Sequence, residues 1–175
     1  MTASHSPESP SISELNEPSL HGLVADLAEC LEKKHWQLAT AESCTGGLIS
    51  AACTELAGAS VWFDRGFVSY SNEAKTELLG VDASLIEQHG AVSEAVARAM
   101  VQGALGQSRA QVAVAVTGVA GPSGGSAAKP VGTVCFGWAS PAGIVIETRR
   151  FKGDRHQVRQ ATVRHALQGL LALLK

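Results

Sequence analysis

Ser43, Cys44 and Thr45, followed at once by Gly46 and Gly47, are the residues of this sequence best suited by type and spacing to chemistry. They stand between an apolar run, Trp36 to Ala41, that reads as a buried strand, and a segment, Leu48 to Leu56, that reads as a helix. A strand-to-helix turn can hold a nucleophile against the first free amides of a helix, where negative charge is stabilised. The same residues serve equally as a helix N-cap, because Ser and Thr satisfy backbone donors there. On the stretch Thr40–Gly47 alone the cap is the better account, so any chemistry must find support elsewhere in the chain. Cys44 is a rival nucleophile, since helix N-termini also stabilise thiolates. No histidine is recognisable as its partner, which ranks it below Ser43.

That support starts at Lys75, one turn into a segment that reads as a helix beginning beside Tyr70 and Asn72. An arbitrary lysine is a solvated surface residue. A buried one has a lowered pKa, and its neutral amine can take the proton of a serine hydroxyl. Ser/Lys pairs, often with a tyrosine near by, serve amidases and β-lactamases without a histidine. No S-x-x-K spacing surrounds Ser43, so only the fold can bring the two together. Glu42 suits either the orientation of a lysine or the capping of a helix. A Gly-rich loop with Gly118, Gly121, Gly124 and Gly125 follows Thr117. It matches neither a Walker A motif nor G-x-G-x-x-G, because Lys129 is followed by Pro130 and no helix begins there. Such glycines admit a phosphate or ribose close to the backbone, form a nest of amides, or simply make a surface turn. Arg149, Arg150, Lys152 and Arg155 form a basic cluster that suits a phosphate or merely solvent.

The elements that must position these residues are legible in outline. Leu20, Leu23, Val24, Leu27 and Leu31 recur at helical spacing and predict a helix from Ser19 to Lys34. Ala59 to Tyr70 is β-rich and predicts a strand ending at Ser69–Asn72, with Asn72 as the cap of the Lys75 helix, which stops at Gly80. Asp82 or Ser84 starts another short turn, and Ser93 caps a longer helix to Leu105. Gln111 to Thr117 is almost continuously apolar, the pattern of a central strand covered on both faces. Thr133–Ala139 and Ile144–Phe151 alternate as a hairpin, and Asp154 opens a final amphipathic helix. Helices alternating with buried strands, closed by a hairpin and a helix, give an α/β domain with a mixed sheet. Ligands in such sheets sit beyond the strand carboxyl ends. Three of those ends carry unusual residues: Ser43–Thr45, Tyr70–Asn72 and Thr117–Gly118.

The totals narrow the function classes. A chain of 175 residues, 45% hydrophobic and 17% charged, is one soluble globular domain of residues 19–175. Residues 1–18, rich in Ser, Pro and Glu, have the composition of a disordered tail. A net charge of -2 argues against a general nucleic-acid surface. No apolar run reaches the roughly 20 residues of a membrane span, and no secretory signal opens the chain, so a cytoplasmic location without membrane attachment is expected. The four cysteines show no C-x-x-C pair, and Cys30, Cys53 and Cys135 read as ordinary buried thiols. The six histidines form no ligand spacing, so neither a metal nor another cofactor is expected.

Five ordered blocks, AESCTGG, GFVSYSNEAK with LLGV, HGAVSEAVA, VTGVAGPSGG with KPVGTV, and FKGDRHQVRQATVRHAL, resemble the C-terminal domain of CinA proteins across residues 20 to 174. The resemblance implies a three-layer α/β/α sandwich with a mixed sheet, a homodimer, and hydrolysis of nicotinamide mononucleotide to nicotinate mononucleotide and ammonia. It implies catalytic roles for Ser43, Tyr70 and Lys75. Substrate contacts are then expected from Asn72, from Thr117 with the glycines of the VTGVAGPSGG block, and from Arg155. In the mechanism this suggests, Ser43 attacks the carboxamide and Lys75 takes its proton directly or through Tyr70. Amides of Thr45, Gly46 and Gly47 receive the oxyanion. The large N-terminal domain of full-length CinA proteins has no counterpart here, so its activities are not implied. The competing expectation is a non-catalytic nucleotide-binding or interaction module linked to competence or DNA damage; the retained Ser/Tyr/Lys set speaks against it.

Overall fold

The computed structural model describes residues 18–175; the tail expected at the N-terminus lies outside the described residues, apart from its last residue. In chain order the elements are α1 (Leu20–Lys34), β1 (Leu38–Glu42), α2 (Leu48–Thr54), a 3-10 turn (Ala59–Val61), β2 (Phe63–Val68), α3 (Asn72–Leu79), α4 (Ala83–His89), α5 (Glu94–Gly106), β3 (Val112–Gly118), β4 (Thr133–Ser140), β5 (Gly143–Arg150) and α6 (Arg155–Leu174). The five strands form one mixed sheet in the order β2-β1-β3-β4-β5. β1 runs parallel to both β2 and β3, whereas β4 pairs antiparallel with β3 and with β5. This is the expected α/β/α sandwich.

Alternation along the central strands builds two cores. Leu38, Val112, Val114 and Val116 join α1, α2 and α6 through Leu27, Leu31, Ile49, Leu167 and Leu170. On the opposite face Ala39, Ala41, Ala113 and Ala115 meet Val96, Met100 and Val101 of α5, with Leu79 of α3 and Ile86 of α4. The small residues on that face let α5 lie close: a Cβ at Gly137 of β4 would stand 2.8 Å from the Ala97 carbonyl.

Beyond small shifts at the ends of β1, which starts at Leu38 and not Trp36, and of α2, which stops at Thr54 and not Leu56, two boundaries depart from the sequence reading in an informative way. Val61 and Trp62 fall in and after the 3-10 turn rather than in a strand, and β2 starts at Phe63. Trp62, 1% exposed, is spent on the α1/α2/α6 core, and its carbonyl receives the Leu38 amide at 2.7 Å. The bulky side chain of Trp62 therefore records burial rather than membership of the strand, while Val61 is exposed. At α3 the cap is Ser71, whose Oγ accepts from the Ala74 amide at 3.0 Å, not Asn72. The helix starts one residue early, leaving the Asn72 side chain out of the cap. The caps Ser19, Ser93 and Asp154 stand where the sequence put them, and of the two candidates Asp82 and Ser84 it is Asp82 that caps α4. No helix among the described residues is long and apolar enough to cross a membrane.

Candidate active site

Because β1, β2 and β3 are mutually parallel and nearly in register, their carboxyl ends emerge at one edge of the sheet. The turn after β1 delivers Ser43, the turn after β2 delivers Tyr70 and α3, and the end of β3 delivers Thr117 and Gly118. The antiparallel β5 ends at the same edge and leads into α6, which brings Arg155. A cavity of about 250 Å³ lies among them, lined by Ser43, Cys44, Tyr70, Asn72, Lys75, Thr117, Gly118 and Arg155. Ala91 and Val92, ahead of α5, and Ala120 complete its wall.

Lys75 is 1% exposed, an unusual place for an amine. Its Nζ lies 3.2 Å from Ser43 Oγ and donates to the carbonyls of Ser69 (3.0 Å), Tyr70 (3.4 Å) and Ser71 (3.4 Å). No carboxylate pairs with it among the described residues. Burial holds its pKa below the usual lysine value and outweighs the opposing influence of Cys44 and Glu73. The cage offers acceptors to all three hydrogens of an ammonium; once deprotonated, the amine keeps two of the carbonyls and can turn its lone pair to the Ser43 hydroxyl. The thiol of Cys44 fares oppositely, since burial pushes its pKa up to about 12 and keeps it protonated.

Glu42 does not touch the lysine. Its carboxylate accepts from the amides of Gly47 (3.0 Å), Ile49 (3.0 Å) and Ser50 (2.8 Å), and from the hydroxyls of Ser50 (2.8 Å) and Thr40 (3.4 Å). It is the cap of α2, supplied from the preceding strand. The turn needs a glycine at its end: Gly47 has φ +97°.

This capping alters the expectation for the oxyanion. The Gly47 amide is committed to Glu42 and the Gly46 amide to the Ser43 carbonyl at 3.1 Å. Thr45 is fully buried and does not line the cavity. The Ser43 amide itself donates to the Val116 carbonyl at 3.1 Å. Cys44, the residue after Ser43, lines the cavity, and its amide donates to no other residue in the described structure.

On the far side Arg155 donates to the Gly121 carbonyl at 2.9 Å and to the Tyr70 hydroxyl at 3.3 Å. Tyr70 is 62% exposed and touches Lys75 only through its backbone carbonyl, so the cavity brings its phenol to Arg155 and not to the amine. Thr117 Oγ1 donates to the Ala91 carbonyl at 2.8 Å, which joins the end of β3 to the entrance of α5. At Gly118 a Cβ would stand 2.7 Å from Val134 Cγ2, so a side chain there would disturb the β3–β4 contact. Residues 122–128 of the loop are exposed, and Gly121, Gly124 and Gly125 lie outside the cavity lining. Sequence reasoning passed over Ala91, Val92 and Ala120, apolar residues whose one signal was their place in the HGAV and GVAG blocks. It also passed over Arg159, whose Nη2 donates to the Thr45 carbonyl at 2.7 Å.

A larger cavity of about 380 Å³ between α3 and α4 shares Asn72 but is lined otherwise by Glu73, Thr76, Glu77, Ala83, Ile86 and Glu87, and neither Ser43 nor Lys75 reaches it. Among the described residues no group of three or more His, Cys, Asp or Glu is placed to hold a metal ion.

The pattern of the CinA C-terminal domain matches residues 20–174. A nicotinamide-nucleotide amidohydrolase PncC of Enterobacter agglomerans is 52% identical over 158 residues, 90% of this chain and 96% of that protein. A CinA-like protein of Syntrophobacter fumaroxidans is 50% identical over 147 residues, 79% of this chain but 35% of the longer relative. The crystal structure of the competence/damage inducible protein CihA from Agrobacterium tumefaciens superposes with a TM-score of 0.88 at 45% identity, over 91% of this chain and 98% of that one.

Proposed function

This chain belongs to the CinA C-terminal domain family, and from that premise we propose that it is an amidohydrolase converting nicotinamide mononucleotide to nicotinate mononucleotide and ammonia. The relatives that align over nearly their whole length carry that activity in their names. One observation carries the mechanism: a buried, carboxylate-free lysine amine 3.2 Å from a serine hydroxyl at the wall of a cavity.

Ser43 Oγ attacks the carboxamide carbon while neutral Lys75 takes its proton directly. The Cys44 amide donates to the resulting oxyanion, in the position after the nucleophile where such donors recur. Collapse returns the proton from Lys75 to the leaving nitrogen, releasing ammonia and leaving an ester on Ser43. Water then attacks the ester, Lys75 takes a proton from it, and collapse gives the carboxylate and restores Ser43. Tyr70, held at its hydroxyl by Arg155, serves as a wall for the substrate ring instead of a relay. A positively charged pyridine over such a ring gains a cation–π contribution. Arg155, with Gly118 beside it, receives the phosphate end. At about 250 Å³ the cavity is small for a whole nucleotide and encloses its reacting end.

The test follows ammonia release from nicotinamide mononucleotide by the purified chain, with Ser43→Ala and Lys75→Ala, in the presence and absence of a chelator. Activity that needs both side chains and survives the chelator is expected. Turnover by Ser43→Ala at the wild-type rate would overturn the assignment, and wild-type inactivity on this and related amides would favour a binding module.

A further inference from the structure

We infer that Arg159 is a positioning residue for the nucleophile, a second clamp on the Ser43 turn beside that of Glu42. The inference rests on the amidohydrolase reading above and extends it to a side chain outside the cavity. α6 runs from Arg155, which reaches Tyr70 and Gly121, to Arg159 one turn later, which reaches the turn after β1. The same helix face thus ties the two walls of the site together.

Donor accounting shows what the clamp does. The amides of Gly46, Gly47, Ile49 and Ser50 are drawn backward, the first to the Ser43 carbonyl and the others to the Glu42 carboxylate. Those bonds fix the α2 end of the turn. The Thr45 carbonyl receives the Leu48 amide at a long 3.4 Å and the Arg159 Nη2 at 2.7 Å. Arg159 therefore supplies the strong contact on the residue that follows Cys44, and with it fixes the peptide units that orient Ser43 Oγ and the Cys44 amide. The guanidinium also packs over Gly46, where a Cβ would stand 3.5 Å from Nη2.

The arrangement is costly for a merely structural arginine. Arg159 Nε and Thr45 Oγ1 are both buried without a hydrogen-bond partner among the described residues. No carboxylate neutralises Arg159 among the described residues. The first turn of α6 carries no acidic residue after the Asp154 cap but does carry Arg155, so cations crowd the end of the helix that repels them. Local rules broken together at one helix end, beside a buried nucleophile, mark a functional arrangement.

The experiment compares Arg159→Ala, Arg159→Lys and wild type for kcat and KM of ammonia release, with and without guanidinium ion well below denaturing concentrations. A misplacement near 1 Å at a reacting centre costs about a hundredfold. The expected result is a kcat lowered by about that factor in Arg159→Ala, KM nearly unchanged, and recovery of much of the rate on adding guanidinium. Arg159→Lys keeps the stem and charge and is expected to fold even should Arg159→Ala not. Its kcat is still expected to fall, because an ammonium on a flexible stem does not reproduce the fixed fork. Wild-type kcat in Arg159→Lys or Arg159→Ala, a rise in KM alone, or a loss in folded Arg159→Ala that guanidinium leaves untouched would overturn the inference. Labelling of Ser43 by a fluorophosphonate, followed by intact mass, separates this from the substrate assignment. Slower labelling in the variants supports the clamp even if wild type leaves nicotinamide mononucleotide uncleaved, and equal labelling rates overturn it.

Discussion

The wall that carries Ser43 and Lys75 and the wall formed by the end of β3 and its glycine loop face the same cavity, yet they are built in opposite ways. The first is buried and over-determined: Lys75 is caged by three carbonyls, and Glu42 gathers three amides and two hydroxyls beneath the turn. The second is mostly solvent-facing, with residues 122–128 exposed and its contact to the cavity made through Gly118, Ala120 and the Arg155 bridge to Gly121. Chemistry needs atoms fixed before substrate arrives, because every reorganisation at the reacting centre raises the barrier. Recognition of a phosphate tolerates a looser frame, since charge acts over distance. The division assigns kcat to the first wall and KM to the second.

The largest test of that division is Lys75→Met, expected to lower kcat by about three orders of magnitude while the chain stays folded. In wild type, kcat/KM is expected to rise with pH as Lys75 loses its proton and to level off above. The lowered pKa puts that inflection below the usual 10.5, and an inflection at or above it would break the argument from burial. Glu42→Gln comes next. An amide cannot accept from all the donors that meet the carboxylate, and its own NH₂ confronts backbone N–H groups. A loss of about 2–3 kcal/mol is expected, a Tm lower by roughly 5–10 °C, together with a fall in kcat; an unchanged Tm would show the cap to be dispensable.

On the second wall, Arg155→Met is expected to raise KM about tenfold with a smaller change in kcat, as for loss of one charge-assisted contact. Tyr70→Phe, which keeps the ring and loses only the bond to Arg155, is expected to change kcat less than threefold. A loss as large as that of Lys75→Met would restore the phenol as a proton relay. The smallest effect is expected for Gly124→Ala, which strains a φ of +85° outside the cavity lining. Should it exceed Arg155→Met in KM, the exposed part of the loop holds substrate and the contrast between the walls is wrongly drawn.

Composition, periodicity and capping residues decided much by themselves. Ser19, Ser93, Asp154 and the VAVAV run of β3 behave as their local chemistry requires, because caps and alternation depend on neighbours a few residues away. The five blocks of residues identified the domain family before any geometry. The sequence also raised the question of a buried Lys75, but S-x-x-K was absent and no local rule could answer it. Only the parallel pairing of β1 with β2 puts the ends of those strands side by side and sets Nζ beside Oγ across a separation of 32 residues. The same holds for the partners these groups find. Thr45, Gly46 and Gly47 look like oxyanion donors in one dimension, and in three their amides are buried or already spent on Glu42 and Ser43. The Tyr70 hydroxyl, expected beside the lysine, accepts instead from Arg155, 85 residues away. A residue type says what a group can donate or accept, whereas which partner claims it depends on packing between distant segments, and that was decided by the tertiary structure alone.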